Sequence, residues 1–260
     1  MKVRMAVTIA GILLASSAWA QWNIHTIDGT DDAGMNCKVV NDLTGTPHVF
    51  YVRHRTGYDP DLIMHGRWTG SGWQLEQVYG QLGIGDIDAA IGRDGKWRLC
   101  CYESWDFYLH YVDNVSGVWT SRTLGWAATS GYPTVAITVD TLNVAHIAAY
   151  NAVNDVLEHW WHLPAMRDSW RMATIDLGSS IRGVSMTSDG VGRSYVAYYN
   201  TGDLKMGRHD SVWGTFTIDQ AGDVGDYTSI KVDRSGGVHI SYYDATSGDL
   251  KYAAGTPSFK

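Results

Sequence analysis

Glu103-Ser-Trp-Asp106 places an indole between two carboxylates within four residues, the pairing of groups that a sugar ring calls for. An aromatic face covers the C–H patch of a pyranose while carboxylates and amides accept from its hydroxyls. Trp105 therefore heads a set of candidate ligand-binding residues with Glu103 and Asp106. Trp126 and Tyr132 stand in the next long loop, Tyr58 and Tyr227 in comparable ones, and Asp86 and Asp88 in a further acidic segment. Packing is the competing account for each aromatic. Asp86, Asp88 and Glu103 could also furnish the pair of carboxyls about 5–9 Å apart that glycoside cleavage needs.

Other chemistries find less support. Asp28-Gly-Thr-Asp-Asp32 and Gly222-Asp-Val-Gly-Asp226 offer hard oxygen ligands of the kind calcium takes, but neither follows a defined loop motif, and both read as turns. No metal or organic cofactor is expected beyond that weak calcium candidate. No Ser–His–Asp, phosphate-loop or Cys–His arrangement is visible. Of three cysteines, Cys100 and Cys101 are consecutive and must point to opposite faces of a strand, so Cys37 can bridge to one of them at most. The three read as buried free thiols.

The elements that must hold these residues follow from a repeat. Tryptophan, then Thr or Gln four residues on, then a branched aliphatic, recurs at Trp22, Trp73, Trp119, Trp170 and Trp213, with spacings of 51, 46, 51 and 43 residues. A period of about 40–50 residues with short alternating strands is the mark of a blade array. The last repeat is the clearest, with Trp213–Asp219, Ser229–Asp233, Val238–Asp244 and Asp249–Ala253 as alternating runs bounded by Gly, Asp and Ser. Four strands in each of five repeats predict an all-β fold, a five-bladed β-propeller of four-stranded antiparallel blades. Trp22–Asp28 is expected to close the last blade as its outer strand. The repeat tryptophans read as wedges between blades. His48, His146 and His239 read as structural hydrogen-bonders, and Asp42, Asp140 and Asp233 as turn formers.

The consensus W-x-x-x-x-I-D…H-I-S-Y-Y-D…G-D-L-K-Y-A, nearly intact in the last repeat, resembles a bacterial secreted propeller repeat family. It is similar in architecture to the tachylectin-type and fucose-specific-lectin-like propellers. The resemblance implies a fold and a use in glycan binding, and it transfers no reaction.

Met-Lys-Val-Arg, an apolar run to Leu14 and Ala-x-Ala before Gln21 read as a secretory signal peptide over residues 1–20, leaving one propeller domain over 21–260. The protein is then secreted or periplasmic, and no other segment is apolar enough to insert in a membrane. The net charge of −7 argues against nucleic acid or an anionic lipid surface as partner. Strand alternation sorts fourteen acids against three arginines onto one loop face, the face that carries Trp105. The expected function is lectin-like binding of a glycan or cell-surface carbohydrate on that acidic, aromatic face. A glycoside hydrolase or, against the charge, a polysaccharide lyase is the alternative, and a protein-interaction scaffold the third.

Overall fold

The computed structural model describes residues 23–257 apart from 106, 127–133 and 164–165, without the side chains of 126, 163 and 166–168. Its strands form five antiparallel sheets. The first holds β1 (Asp32–Asn41), β2 (Pro47–His54), β3 (Asp61–Trp68) and β4 (Trp73–Gln81). The second holds β5 (Ile84–Ile91), β6 (Trp97–Glu103), β7 (Tyr108–Asp113) and β8 (Thr120–Trp126). The third runs from β9 (Val135–Val139) through β10 (Ala145–Asn151) and β11 (Val156–Leu163) to β12 (Met166–Leu177). The fourth comprises β13 (Arg182–Ser188), β14 (Ser194–Asn200), β15 (Asp203–His209) and β16 (Trp213–Asp219), and the last β17 (Val224–Val232), β18 (Val238–Asp244) and β19 (Asp249–Gly255). No helix long and apolar enough to cross a membrane occurs among the described residues. The expected signal peptide, Trp22, Asp106 and Tyr132 lie outside them.

The first strands of successive sheets pack side by side, β1 on β5, β5 on β9, β9 on β13 and β13 on β17. Between sheets lie the apolar cores that the alternation predicts, such as Phe50, Val52 and Ile63 against Ile87, Leu99 and Cys101. The repeat tryptophans cap these joints as expected: Trp119 joins the core between the first and second sheets, Trp170 the next, and Trp213 the one between the third and fourth. Close approach fixes a small residue beneath the ring. A Cβ at Gly207 would stand 2.9 Å from Val196 and 3.1 Å from both Ile175 and Trp213.

The turn aspartates act as read from sequence. Oδ1 of Asp140 accepts from the amides of Leu142 and Val144 at 2.8 Å each, and that of Asp233 from Ser235 and Gly237 at 2.8 Å each. Asp189 repeats the pattern with Val191 and Arg193 at 3.0 and 2.9 Å. The second carboxylate oxygen then meets the recurring polar residue of the following strand, Tyr195 at 3.1 Å on Asp189 and His239 at 3.1 Å on Asp233. The histidines at this position are thereby tied to the scaffold.

Two expectations need correction. The last sheet has three strands among the described residues, and residues 23–28 lie in no sheet. Ile27 instead packs with Val49, Tyr51 and Trp73 of the first sheet, and Asp28 accepts from Tyr51 Oη at 2.7 Å and from Arg53. Charge-assisted bonds to a nearly buried carboxylate anchor the end of this segment on the first sheet. Cys100 and Cys101 are buried in separate cores as read, but Cys37 is exposed on β1, where its side chain lies outside the core clusters.

Candidate functional site

Loops joining one sheet to the next share a face with those between second and third strands. Backbone bonds tie them together: Ser104 N to Gly83 O at 2.8 Å, Gly178 N to Asp155 O at 2.9 Å, and Val224 N to Gly202 O at 2.9 Å. On this face Trp105 is 64% exposed beside Gly83, and Tyr58 and Tyr227 are exposed at 89% and 78%. Tyr58 belongs to the first sheet and Tyr227 to the last, so the three aromatics are dispersed over different blades. Trp126 ends β8 opposite Tyr108.

Of the carboxylates nominated with Trp105, those among the described residues point elsewhere. Glu103 is buried, accepts from Tyr79 Oη at 3.0 Å and stands 3.0 Å from His110 Nε2. Asp86 and Asp88 lie on β5 itself and accept from the β9 amides of Val135 and Ile137 at 3.1 and 2.9 Å, with Lys38 of β1 3.9 Å from Asp88. Both residues are half-buried, and the protein packed around them pushes their carboxyls above the usual range. Reading them as loop residues overlooked that β5 begins at Ile84.

Other acids of this face are occupied locally. Asp61 accepts from the Ile84 amide at 3.1 Å, Asp155 from Tyr150 at 3.0 Å, Asp226 pairs with Arg182 at 2.7 Å and Asp244 with Lys251 at 3.2 Å. Asp28 and Asp226, the ends of the two calcium candidates, are thus engaged by Arg53 and Arg182. Among the described residues no three His, Cys, Asp or Glu side chains converge on one point suited to an ion.

A cavity of about 450 Å³ opens on the opposite face, between the first and second sheets, lined by Asp42, His48, His65, Arg67, Glu76 and Trp97 among others. The β2–β3 register sets His48 across from Arg67, and the β3–β4 register sets His65 across from Glu76. His65 Nδ1 lies 2.8 Å from Glu76 Oε1, its Nε2 lies 2.6 Å from His48 Nδ1, and His48 Nε2 lies 3.4 Å from Asp42 Oδ2. Burial lowers the affinity of both rings for a proton. Two neutral imidazoles bring two N–H groups to three gaps. When both donate toward Glu76, the bare nitrogen is His48 Nε2, at the longest gap.

This chain fixes Glu76, whose side chain is still 54% exposed, as an oriented acceptor. Trp97, buried, packs against His48 with ring centroids 4.6 Å apart and forms the floor. Arg67 is exposed and has no carboxylate partner among the described residues. A cation with a fork of donors, a held carboxylate and an aromatic floor thus meet at one opening.

A second cavity, of about 530 Å³, recurs between the fourth and last sheets, lined by Asp189, Arg193, Tyr195, Arg208, Asp233 and Arg234 among others. Asp189, Tyr195 and Arg208 occupy the repeat positions of Asp42, His48 and Arg67, but there Arg208 is paired with Asp210 at 2.6 Å. Sequence reading missed His65, Arg67, Glu76 and Trp97. The available signal was a third-strand Arg facing a first-hairpin His, with Glu behind it on the fourth strand.

No family model matches the chain, and no curated protein matches it significantly in sequence. Solved structures do resemble it. The fucose-specific lectin of Aleuria aurantia, solved with Fucα1-6GlcNAc, superposes with a TM-score of 0.57 at 12% identity over 85% of this chain and 77% of its own. The fold is that of a β-propeller. The NanB sialidase of Streptococcus pneumoniae gives 0.57 at 11% identity, over 85% of this chain and 55% of that one. The α-L-arabinanase of Penicillium chrysogenum, complexed with arabinobiose, gives 0.55 at 9%, over 85% and 76%. At these identities the likeness establishes the propeller architecture, and the ligand must be argued from side chains.

Proposed function

We propose that this propeller binds neutral carbohydrate in the cavity between its first and second sheets. One observation carries the reading: Arg67 without an acid partner and Glu76 held by His65 flank an opening floored by Trp97. A hydroxyl pair on a sugar both donates and accepts, which suits an opening that presents a charged donor beside a charged acceptor. The likeness in fold to a fucose-specific lectin and to an arabinanase solved with arabinobiose supports the same ligand class.

Trp105 supplies a second stacking surface on the loop face in this reading, since a large indole left 64% exposed on a loop bonded to Gly83 is suited to a ligand. Catalysis is the weaker alternative. Its best carboxyls, Asp86 and Asp88, both accept from β9 backbone amides and stand two residues apart on one strand, an arrangement for bracing two sheets. The signal-like residues 1–20 place this activity outside the cytoplasm in our reading. A glycan array run with a reducing-end assay tests the proposal: binding of neutral glycans without new reducing ends is expected. Product formation would transfer the function to an enzyme, and silence in both to a scaffold.

A further inference from the structure

The same pair of histidines stands in two blade joints, with opposite groups at its end. Between the third and fourth sheets, Trp213 Nε1 donates to His159 Nδ1 at 3.1 Å, so that nitrogen is bare and the ring's one hydrogen sits on Nε2. His159 Nε2 then donates to His146 Nδ1 at 2.9 Å, and His146 Nε2 to Asp140 Oδ2 at 3.4 Å. Three gaps receive three hydrogens, from two neutral rings and an indole.

Between the first and second sheets the relay repeats until its far end. His65 Nε2 lies 2.6 Å from His48 Nδ1, and His48 Nε2 lies 3.4 Å from Asp42 Oδ2. Where His159 meets an indole, however, His65 Nδ1 meets Glu76 Oε1 at 2.8 Å. A carboxylate has no hydrogen to give, so two neutral rings supply two hydrogens to three gaps. With both pointing toward Glu76, His48 Nε2 is left bare, and this nitrogen is buried without a hydrogen-bond partner. With both pointing toward Asp42, His65 Nδ1 is left bare against Glu76, whose exposed side chain then turns to solvent.

The charged groups that face the pair are Asp42 from the first turn, Arg67 from β3 and Glu76 from β4. The second sheet presents Ile91, Gly95, Trp97 and Asn114, and the ring of Trp119 at 6.2 Å from that of His65, none of which titrates. Burial of both rings opposes a charge on them, and the two carboxylates favour one. His159 has the harder case: burial, then His146 and His209, hold it well below the usual imidazole range.

We propose that His48 and His65 form a proton-taking pair that locks the ligand cavity on mild acidification. One proton added at His48 Nε2 fills the third gap. Asp42 and Glu76 are then both bonded, and the arrangement that frees Glu76 disappears. Glu76 stands beside Arg67 as a fixed acceptor, and the cavity loses its net negative charge. The gain in affinity that follows rests on the carbohydrate reading, and the proton uptake does not.

Long-range proton–nitrogen correlation spectra of the imidazole rings in the whole protein, recorded between about pH 4.5 and about pH 8, test the proposal. The pair should gain one hydrogen, completed at His48 Nε2, while His159 stays neutral throughout. Asp42→Asn gives the third gap a hydrogen of its own: the new amide N–H donates to His48 Nε2. Its oxygen keeps the Thr44 and Thr46 amides that Asp42 Oδ1 holds at 2.8 and 2.9 Å. In this variant the pair should take up no proton over the same range. For a neutral glycan, wild-type affinity should rise about twofold or more on acidification, as the fraction of molecules with Glu76 held climbs from about one half toward one. Asp42→Asn should bind at the acid level at every pH. A His48 ring that stays neutral down to about pH 4.5, or titrates together with His159, would overturn the proposal. Proton uptake that persists in Asp42→Asn, or a wild-type affinity that is flat with pH, would overturn it equally. A His48 that titrates as expected in a protein that binds no neutral glycan at any pH would uphold the proton uptake and sink the carbohydrate reading.

Discussion

Tyr198 donates its phenol to Asp176 Oδ2 at 2.9 Å across the joint between the third and fourth sheets. The tyrosine is fully buried, and burial raises its pKa far above the ordinary value, with the neighbouring carboxylate adding to the effect. For Asp176, burial acts upward but is outweighed by Lys205, Tyr198 and Asn200, which hold the carboxyl below its usual range. The same aspartate–tyrosine–cation triplet at Asp219–Tyr242–Lys251 makes it the polar clasp of a blade joint.

Tyr198→Phe should therefore cost about 1.5–3 kcal/mol, the worth of a buried hydrogen bond to a charged group. Urea denaturation should show a lower midpoint with an unchanged slope. An unchanged midpoint would mean that Lys205 and Asn200 suffice for Asp176.

Acid stability divides the carboxylates into two groups of opposite sign. The Lys251 bond, with Ala221 N, holds Asp219 at about 2; Asp28 is pushed up by burial but brought down to about 2 by Arg53 and Tyr51. Their folded values lie below 3.8, so their contribution is complete above that value and is lost as the pH falls from there toward 2. Asp88 is the reverse: burial raises its folded pKa, so its charge weighs against the fold at neutral pH and the cost lifts as it takes up a proton. Asp88→Asn should melt at or above wild type at neutral pH, and that advantage should shrink toward about pH 4. Scanning calorimetry at the two pH values checks this, and a loss of stability at neutral pH alone would contradict it.

The two kinds of tryptophan should separate in stability. Trp170 packs on Tyr111 with centroids 4.7 Å apart and belongs to the core between the second and third sheets. Trp170→Ala should cost about 3–5 kcal/mol. Trp105→Ala, at an exposed loop position, should stay within about 0.5 kcal/mol of wild type. Equal losses in thermal melts would return Trp105 to the packing.

The architecture was legible because it is carried by period. Trp, Ile-Asp and the turn aspartates recur at similar offsets, and each plays the same part wherever it recurs. The site was less legible. Arg67 and Glu76 become neighbours only through the β3–β4 register, and Asp86 and Asp88 turn inward because β5 starts two residues before Asp86. Asp28 carried a signal that alternation alone does not give. Its partner Tyr51 stands in the first sheet, as the partners of Asp176 and Asp219 stand in the sheet that follows each.

Calorimetric titration of a neutral glycan from the array into wild type and Arg67→Ala tests the central claim most directly. Arg67 is exposed and lacks an acid partner among the described residues, so its removal should leave the stability within about 0.5 kcal/mol of wild type. Binding should weaken by roughly tenfold or more, the loss of charge-assisted hydrogen bonds worth about 1.5–3 kcal/mol. Glu76→Gln should weaken it as well while keeping the acceptor toward His65. Undiminished binding by Arg67→Ala, with the affinity lost instead in Trp105→Ala, would contradict the account and move the site to the loop face.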